Sequence, residues 1–237
     1  MNATIKLEKK HFPVLLNELE SIISPLYGGT FIDCTFGQGG YSKKILENSD
    51  NKVIALDRDK EVLNNALSLK KKFGSKFNFY NLKFSEIISL SPKIENLKGI
   101  IFDLGYSLNQ INDLKRGISF KSKSKLNMKM GMNDFSAEDV INKLNQESLA
   151  KIIKSFGEEQ KAKLIAKNII QQRSKKHILT QDLVSIIDRA KGYKKGKIHN
   201  ATKTFQALRI FVNKEISELI YGLINSFKLL PVGGIIV

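Results

Sequence analysis

The first half of the chain alternates between short apolar runs and longer amphipathic stretches. The apolar runs have the length of buried β-strands and cover residues 30–34, 53–56, 77–80 and 99–102. Helical spacing is clearest over residues 13–23, 42–48 and 60–72. Strands separated by helix-length segments predict parallel βαβ units. This half is therefore predicted to form a doubly wound, Rossmann-like α/β sheet.

The pattern changes after about residue 110. Residues 115–133 are polar and lysine-rich, with little periodicity. Helices are predicted from Ser136, which with Asp139 resembles a capping box, and over residues 158–172, 181–190 and 204–227. Thr180 is the expected N-cap of the third of these helices. This stretch is typical of a helical insertion in an α/β domain.

The last residues form a predicted turn over 231–234 and the start of a strand at 235–237. A doubly wound sheet normally continues beyond such a strand, so we expect a further C-terminal segment. The predicted organisation is a first part of the α/β domain (1–110), an inserted helical and basic domain (111–205), and a second, truncated part of the α/β domain (206–237).

The distribution of charge also distinguishes the middle segment from the rest of the chain. The 237-residue chain has a formal net charge of +16, and residues 111–205 contain 21 basic and 9 acidic residues. Such a concentration favours a polyanionic partner, most simply nucleic acid. The alternative is compositional bias, because 34 of the 39 basic residues are lysine.

Other features of composition narrow the class of protein. No apolar run approaches the roughly 18 residues that a membrane span needs, so an integral membrane protein is excluded. Residues 1–10 are polar, which does not support a signal peptide. Cys34 is the single cysteine, so an intramolecular disulfide and a cysteine-rich zinc site are excluded. The three histidines are far apart in sequence, so metal is not indicated. A cytoplasmic location is expected.

A glycine cluster follows the first predicted strand, in the sequence Asp33-Cys-Thr-Phe-Gly-Gln-Gly-Gly40. Glycines at a strand-to-helix junction let a ligand approach the backbone. The dinucleotide fingerprint fails here, because its third glycine would fall on Ser42. The pattern instead suits S-adenosylmethionine, although a tight connection without a ligand is the alternative.

Three more residues follow predicted strands at the edge where open α/β sheets bind ligands. Asp57 suits a hydrogen bond to ribose hydroxyls, or else a helix N-cap, a role that Asp59 also suits. Phe84 lies where an adenine would sit, or else in the core. Asp103 suits the cofactor's ammonium or a substrate amine, or else it caps a polar loop over residues 104–110.

Several motifs occur in an order that resembles one family. They are His11–Glu18, Asp33–Gly40, Ala55–Asp59, Asp103–Gly105, Arg116–Phe120, Phe156–Glu159 and Thr204–Asn213. Together they resemble the family that methylates N4 of a cytidine in 16S (small-subunit) ribosomal RNA, over the chain from about His11 to Val237. The resemblance implies a class I methyltransferase sheet with an inserted helical domain, S-adenosylmethionine as cofactor, and 16S ribosomal RNA or the small ribosomal subunit as partner.

The resemblance also assigns cofactor-binding residues. They are Gly39, Gly40, Tyr41 (where the family commonly has histidine), Asp57, Phe84, Asp103 and Gln110. Asp103 is in addition the nearest candidate for a catalytic acceptor beside the N4 nitrogen. Tyr106 is a candidate for stacking on the cytosine, or else a surface residue.

The chain departs from the family pattern at further positions and at its end. Asn109 replaces a proline, and Asn127 and Gly131 replace carboxylates. The family also continues beyond the strand at 235–237. An impaired, shortened member that only binds RNA is therefore the alternative function. A methyltransferase for another substrate and a nicotinamide-dependent oxidoreductase are weaker alternatives.

Two groups of lysines are candidates for phosphate contacts. The first group contains Lys121, Lys123, Lys125 and Lys129, and the second contains Lys191, Lys194, Lys195 and Lys197. A solvated lysine surface is the alternative for both groups. His199 belongs to a stretch typical of the family and is a candidate for a position near the substrate.

Overall fold

The computed structural model describes residues 15–192 and 198–237. The chain divides into two compact units. The first contains the described residues up to Asp103 together with Leu223–Val237, and the second is Leu104–Gly222. The second unit is longer at both ends than the predicted insertion over 111–205. His11 and the start of the helix predicted at residue 13 lie outside the described residues.

A five-stranded sheet organises the first unit. Its strands are β1 (Thr30–Asp33), β2 (Lys52–Asp57), β3 (Phe77–Asn81), β4 (Leu97–Ile101) and β5 (Ile235–Ile236). The order is β3-β2-β1-β4-β5, and every pairing is parallel. The predicted doubly wound parallel sheet is therefore confirmed. Strand order reverses at β1, which is the position where such sheets bind ligands.

Helices pack against this sheet and close its core. They are α1 (Leu16–Ile23), α2 (Gly40–Ile45) and α3 (Leu63–Phe73). One cluster contains Phe31, Val53 and Phe77 and packs with α1 and α3, and a second contains Ile32, Leu56 and Ile100. Alternate residues of each strand enter the two clusters, because successive side chains of a strand point to opposite faces. Both faces of the sheet are thus buried.

The second unit is helical. Its helices are α4 (Leu108–Asn112), α5 (Ala137–Lys143), α6 (Gln146–Gly157), α7 (Ala162–Arg173), α8 (Thr180–Lys191) and α9 (Thr202–Asn213). One apolar cluster joins α5 to α9 and includes Leu149, Ile165, Ile187 and Leu208. The capping box at Ser136 is present, since Ser136 and Asp139 exchange side-chain and backbone hydrogen bonds.

The structure corrects three local predictions. The helix predicted over 204–227 is broken at Lys214, whose φ of 52° is left-handed, and continues as α10 (Glu215–Leu229). Thr180 is not an N-cap, because it is the first residue of α8 and its hydroxyl donates to the Ser124 carbonyl. The predicted loop over 104–110 becomes helical at Leu108, where Ser107 is the N-cap.

Asn213 explains why the long helix ends where it does. Its side chain is fully buried; Oδ1 accepts from the Met130 N–H (2.8 Å), and Nδ2 donates to the Met128 carbonyl (2.9 Å). Asn133 also donates to Oδ1. These bonds fix the irregular chain around residues 128–133 against the end of α9. Among the described ranges, no helix is long and apolar enough to span a membrane.

Replacing Asn213 by alanine is expected to lower the free energy of unfolding by about 2–4 kcal/mol, because the buried Met130 N–H and Met128 carbonyl lose their partner. Urea unfolding of the purified chain measures the change. Asn112→Ala, at the exposed end of α4, is the matched control and is expected to stay within about 0.5 kcal/mol. Equal effects of the two substitutions would contradict the anchoring role of Asn213.

Candidate functional site

The first unit brings most of the predicted cofactor residues to one edge of its sheet. Parallel strands end on the same side, and Gly39, Asp57, Phe84 and Asp103 all follow the carboxyl ends of strands. Gly40 and Tyr41 begin α2 at this edge. The arrangement places backbone, two carboxylates and an aromatic ring around the end of β1.

The glycine loop after β1 has a conformation that side chains oppose. Gly37 and Gly39 have φ values of 52° and 77°. A Cβ on Gly39 would lie 2.8 Å from the ring of Phe36. Its N–H also donates to the Phe36 carbonyl at 2.7 Å. Gly39 is therefore required by both the turn and the packing beneath it.

Asp57 holds this loop at the end of β2. Its Oδ2 accepts from the Gly37 N–H and its Oδ1 from the Asp59 N–H, both at 2.8 Å. Burial raises the pKa of Asp57, against the lowering effect of these two donors. A carboxylate has about four acceptor positions, so capacity remains for hydroxyl donors. The N-cap role falls to Asp59, which accepts from the Glu61 N–H.

Asp103 is exposed at the end of β4 and is tied to β1 and α2. Its N–H donates to Thr35 Oγ1 at 2.7 Å, and its carboxylate shares a hydrogen bond with the Tyr41 hydroxyl. Burial, reinforced by the Asp103 charge, raises the pKa of Tyr41 to about 12. Tyr41 therefore stays a neutral donor to Asp103 at physiological pH. Sequence reasoning gave no role to Thr35, although it stands in the glycine motif.

A third carboxylate, that of Asp33, lies beneath the glycine loop. Asp33 is fully buried at the end of β1, where Oδ2 accepts from Ser42 Oγ at 2.7 Å and Oδ1 from the Thr35 N–H at 3.2 Å. Burial raises the pKa of Asp33 to about 6, and the two hydrogen bonds offset part of that effect. Asp33 supports the loop from the core side of the sheet.

Phe84 has one side in the core and one side exposed. It begins a 3-10 helix after β3, meets Phe102 edge to face at 5.4 Å and packs on the apolar cluster around Ile100. The residue is only partly buried. A ring fixed in this way suits a flat apolar ligand group, in addition to its part in the core.

Gln110 lies in the second unit, where its side chain has a local role. Its Oε1 accepts from the Ser107 N–H at 3.0 Å, and its own N–H donates to Ser107 Oγ. This capping box starts α4. Asn109, which stands where the resemblance places a proline, lies in the first turn of that helix. The structure therefore explains Gln110 as a helix-capping residue, and its cofactor role stays a prediction.

Tyr106 makes a cation–π contact with Arg209, which is itself paired with Glu215, within the second unit. The Arg209 guanidinium lies 4.8 Å from the centre of the Tyr106 ring and is fixed by Glu215 at 3.0 Å. The tyrosine remains about half exposed. A cation below an aromatic ring orients it, so Tyr106 is a fixed ring rather than a loose surface residue.

The two lost carboxylates have clear local replacements. Asn127 Oδ1 accepts from the Lys129 N–H at 3.3 Å, a bond that an aspartate oxygen would make equally well. Gly131 has a φ of 105°, which opposes any side chain. Asn127 therefore retains the turn, and glycine suits the backbone at position 131.

The lysine groups differ in their surroundings. In the first group Lys121, Lys123 and Lys125 are exposed and Lys129 is partly buried. Lys191, from the second group, pairs with the buried Glu159 at 2.6 Å and also donates to the Asn200 carbonyl. The other members of the second group, Lys194, Lys195 and Lys197, lie outside the described residues. Within the ranges that the structure describes, no cluster of histidine, cysteine and acidic side chains could hold a metal.

Comparison with known proteins places these features in one family. The profile of the MraW methylase family matches residues 8–237. A protein of Orientia tsutsugamushi (strain Ikeda) named ribosomal RNA small subunit methyltransferase H is 44% identical over 229 residues, which are 94% of this chain and 73% of that protein. One of the same name from Rickettsia massiliae (strain Mtu5) is 40% identical over 227 residues, which are 95% and 74% of the two chains. The family resemblance inferred from the ordered motifs is confirmed.

The raised pKa of Asp33 predicts a specific pH dependence of stability. The folded state holds this proton up to about pH 6, whereas an unfolded aspartate loses it near pH 4. The folded state therefore binds more protons in this window, and its stability falls as pH rises from about 4 to about 6. The contribution of Asp33 to this fall is roughly 3 kcal/mol.

Asp33→Asn is expected to remove that contribution, since an amide of nearly the same shape does not titrate in this pH range. Urea unfolding at several pH values measures the difference between the two proteins. It should change by about 3 kcal/mol between pH 4 and pH 7, in favour of the variant at the higher pH. A constant difference across the range would show that folding does not raise the pKa of Asp33.

Proposed function

We propose, since this chain belongs to the MraW methylase family, that it transfers a methyl group from S-adenosylmethionine to N4 of a cytidine in small-subunit (16S) ribosomal RNA. The relatives reported above carry the name ribosomal RNA small subunit methyltransferase H. The observation that carries the proposal is the joining of the glycine loop to Asp57 at the sheet edge where Asp103 also lies. A cytoplasmic location follows from a ribosomal substrate.

The residues at this edge fit S-adenosylmethionine chemically. The remaining acceptor positions of Asp57 suit ribose hydroxyls, and the partly buried Phe84 ring suits the flat adenine. The exposed carboxylate of Asp103 suits the ammonium of the methionine part. The glycines at 37 and 39 allow backbone to approach the ligand. When bound, the cofactor supplies an electrophilic methyl group on a sulfonium.

Positioning is the main task of the protein residues in such a reaction. The exocyclic N4 amine of cytidine is a poor nucleophile, because its lone pair is delocalised into the ring. The enzyme must therefore hold nitrogen, methyl carbon and sulfur nearly in line. An acceptor beside N4 would favour the reactive, pyramidal nitrogen. Asp103 is the candidate for this catalytic role, and Tyr41 and Thr35 hold it in place.

The second unit is proposed to bind the RNA substrate. Most of the excess positive charge of the chain lies in this unit, and Lys121, Lys123 and Lys125 are exposed on it. Phosphate contacts from such lysines would offset the cost of exposing a base from a folded RNA. Whether the substrate is free 16S RNA or the small subunit is decided by using both in the assay below.

Asp57→Ala is expected to weaken S-adenosylmethionine binding at least tenfold in calorimetry, because the loop anchor and the ribose acceptor are both lost. The same variant should lose methyl transfer to unmodified 16S RNA or small subunits, with N4-methylcytidine detected by mass spectrometry. Asp50→Ala, an exposed acid of the same unit, is the matched control.

Each outcome of this experiment has a clear meaning. Cofactor binding and N4-methylcytidine in the wild-type reaction support the proposal. RNA binding by a folded chain that transfers no methyl group would favour the impaired, RNA-binding alternative. Methylation of a different nucleotide or molecule would overturn the proposed substrate.

RNA affinity is expected to fall steeply with salt, because lysine–phosphate contacts release counterions. Replacing Lys121, Lys123 and Lys125 by alanine should reduce the slope of log affinity against log salt by about 2. The control replaces Lys71, Lys72 and Lys76, exposed lysines of the first unit, and makes the same change in charge. Equal slopes for both triple variants would contradict a specific role of the second unit.

A further inference from the structure

Three aromatic rings in contact lead from the core of the second unit to its surface. Phe205 is buried in the apolar cluster and meets Phe120 edge to face, with 6.4 Å between ring centres. Phe120 is partly buried and lies parallel to the imidazole of His199, with 4.1 Å between ring centres and 5° between planes. His199 is exposed. The last ring of the stack therefore faces solvent.

Hydrogen bonds hold the backbone at Phe120 and the imidazole of His199. The Phe120 carbonyl accepts from Gln181 Nε2 at 2.9 Å, and the same amide donates to the Ser122 carbonyl at 2.6 Å. His199 Nδ1 accepts from the Ala201 N–H at 3.1 Å, at the start of α9. Because Nδ1 is an acceptor, the neutral ring carries its proton on Nε2. The orientation of the imidazole is thus set before any ligand arrives.

Capping alone does not account for this arrangement. Asparagine, aspartate and serine are the residues that most often supply a side-chain acceptor at a helix start, and none of them needs an aromatic partner. The parallel contact with Phe120 instead covers one face of the imidazole, while His199 as a residue remains exposed. A flat, exposed and preoriented ring is the feature on which unpaired nucleobases stack in RNA-binding proteins.

We propose that an unpaired base of the RNA substrate stacks on His199, on the side of the imidazole opposite Phe120. The inference rests on the proposed function, because that function supplies the RNA. Lys121 directly follows Phe120 and is exposed, which suits a contact to the phosphate backbone beside the stacked base. Stacking and charge would then act on different parts of one nucleotide chain.

Two substitutions separate the ring of His199 from its capping bond. His199→Asn keeps an oxygen acceptor for the Ala201 N–H but removes the ring. His199→Phe keeps a ring and removes the acceptor. His177→Asn is the matched control, because His177 is an exposed histidine of the same unit whose Nε2 pairs with Glu138 at 2.6 Å rather than with a ring. Thermal unfolding of all four proteins shows whether each variant is folded.

The probes are fluorescein-labelled oligocytidylate and an abasic ribose-phosphate chain of the same length and charge. We expect the wild-type chain and His177→Asn to bind oligocytidylate about tenfold more tightly than the abasic chain. His199→Asn should lose this preference and bind the abasic chain as the wild type does. His199→Phe should retain the preference. Lys121→Ala should weaken binding of both probes by the same factor.

Three results would overturn the inference. They are equal wild-type affinities for the two probes, loss of the preference in the folded His199→Phe variant, and its retention in His199→Asn. None of these measurements uses methyl transfer. A chain that shows the expected binding pattern but makes no N4-methylcytidine contradicts only the proposed function. A chain that methylates RNA while His199→Asn keeps the base preference contradicts only the stacking role.

Discussion

The candidate site depends on one hydrogen bond, from the Gly37 N–H to the carboxylate of Asp57. It joins the loop after β1 to the end of β2, so the glycine turn cannot shift without breaking a bond to a largely buried acid. Hydrogen bonds to charged groups contribute roughly 1.5–3 kcal/mol each, more than bonds between neutral groups. A second hydrogen bond, from the Asp103 N–H to Thr35 Oγ1, joins the end of β4 to the same loop. Three strand ends are thereby fixed relative to one another.

In the second unit, side-chain hydrogen bonds hold a long irregular segment in place. Its chain from residue 117 to residue 135 contains no helix or strand, so its backbone groups need partners elsewhere. Asn213, Thr180 and Gln181 supply several of them from helices α8 and α9. These bonds connect the irregular chain, which carries Phe120 and the exposed lysines, to helices α8 and α9. Side-chain amides and a hydroxyl thus supply the partners that neighbouring strands supply in a sheet.

Sequence patterns predicted the sheet well because buried parallel strands are continuous apolar runs, and Asp57 and Asp103 directly follow two of them. They failed where a single buried polar group decides the geometry. The apolar spacing of residues 204–227 continues through Lys214, so periodicity could not locate a break that depends on Asn213 bonding to residues far away in sequence. The sequence also did not predict the capping role of Gln110. Its bond to the Ser107 N–H is local and is compatible with the cofactor role that the resemblance assigns. The ring stack was also beyond prediction, because 79 residues separate Phe120 from His199 in the sequence.

Charge and stacking respond differently to the solution around the protein. At physiological salt the Debye length is about 8 Å, so exposed lysines attract RNA at short range only and without regard to base. Stacking on an aromatic ring depends little on counterions but requires a base that is already unpaired. If His199 stacks on a base as proposed, a surface that carries both Lys121 and the Phe120–His199 pair would favour an unpaired nucleic acid strand over a duplex and over polyanions without bases. Discrimination of this kind arises from the geometry of the rings rather than from the number of lysines.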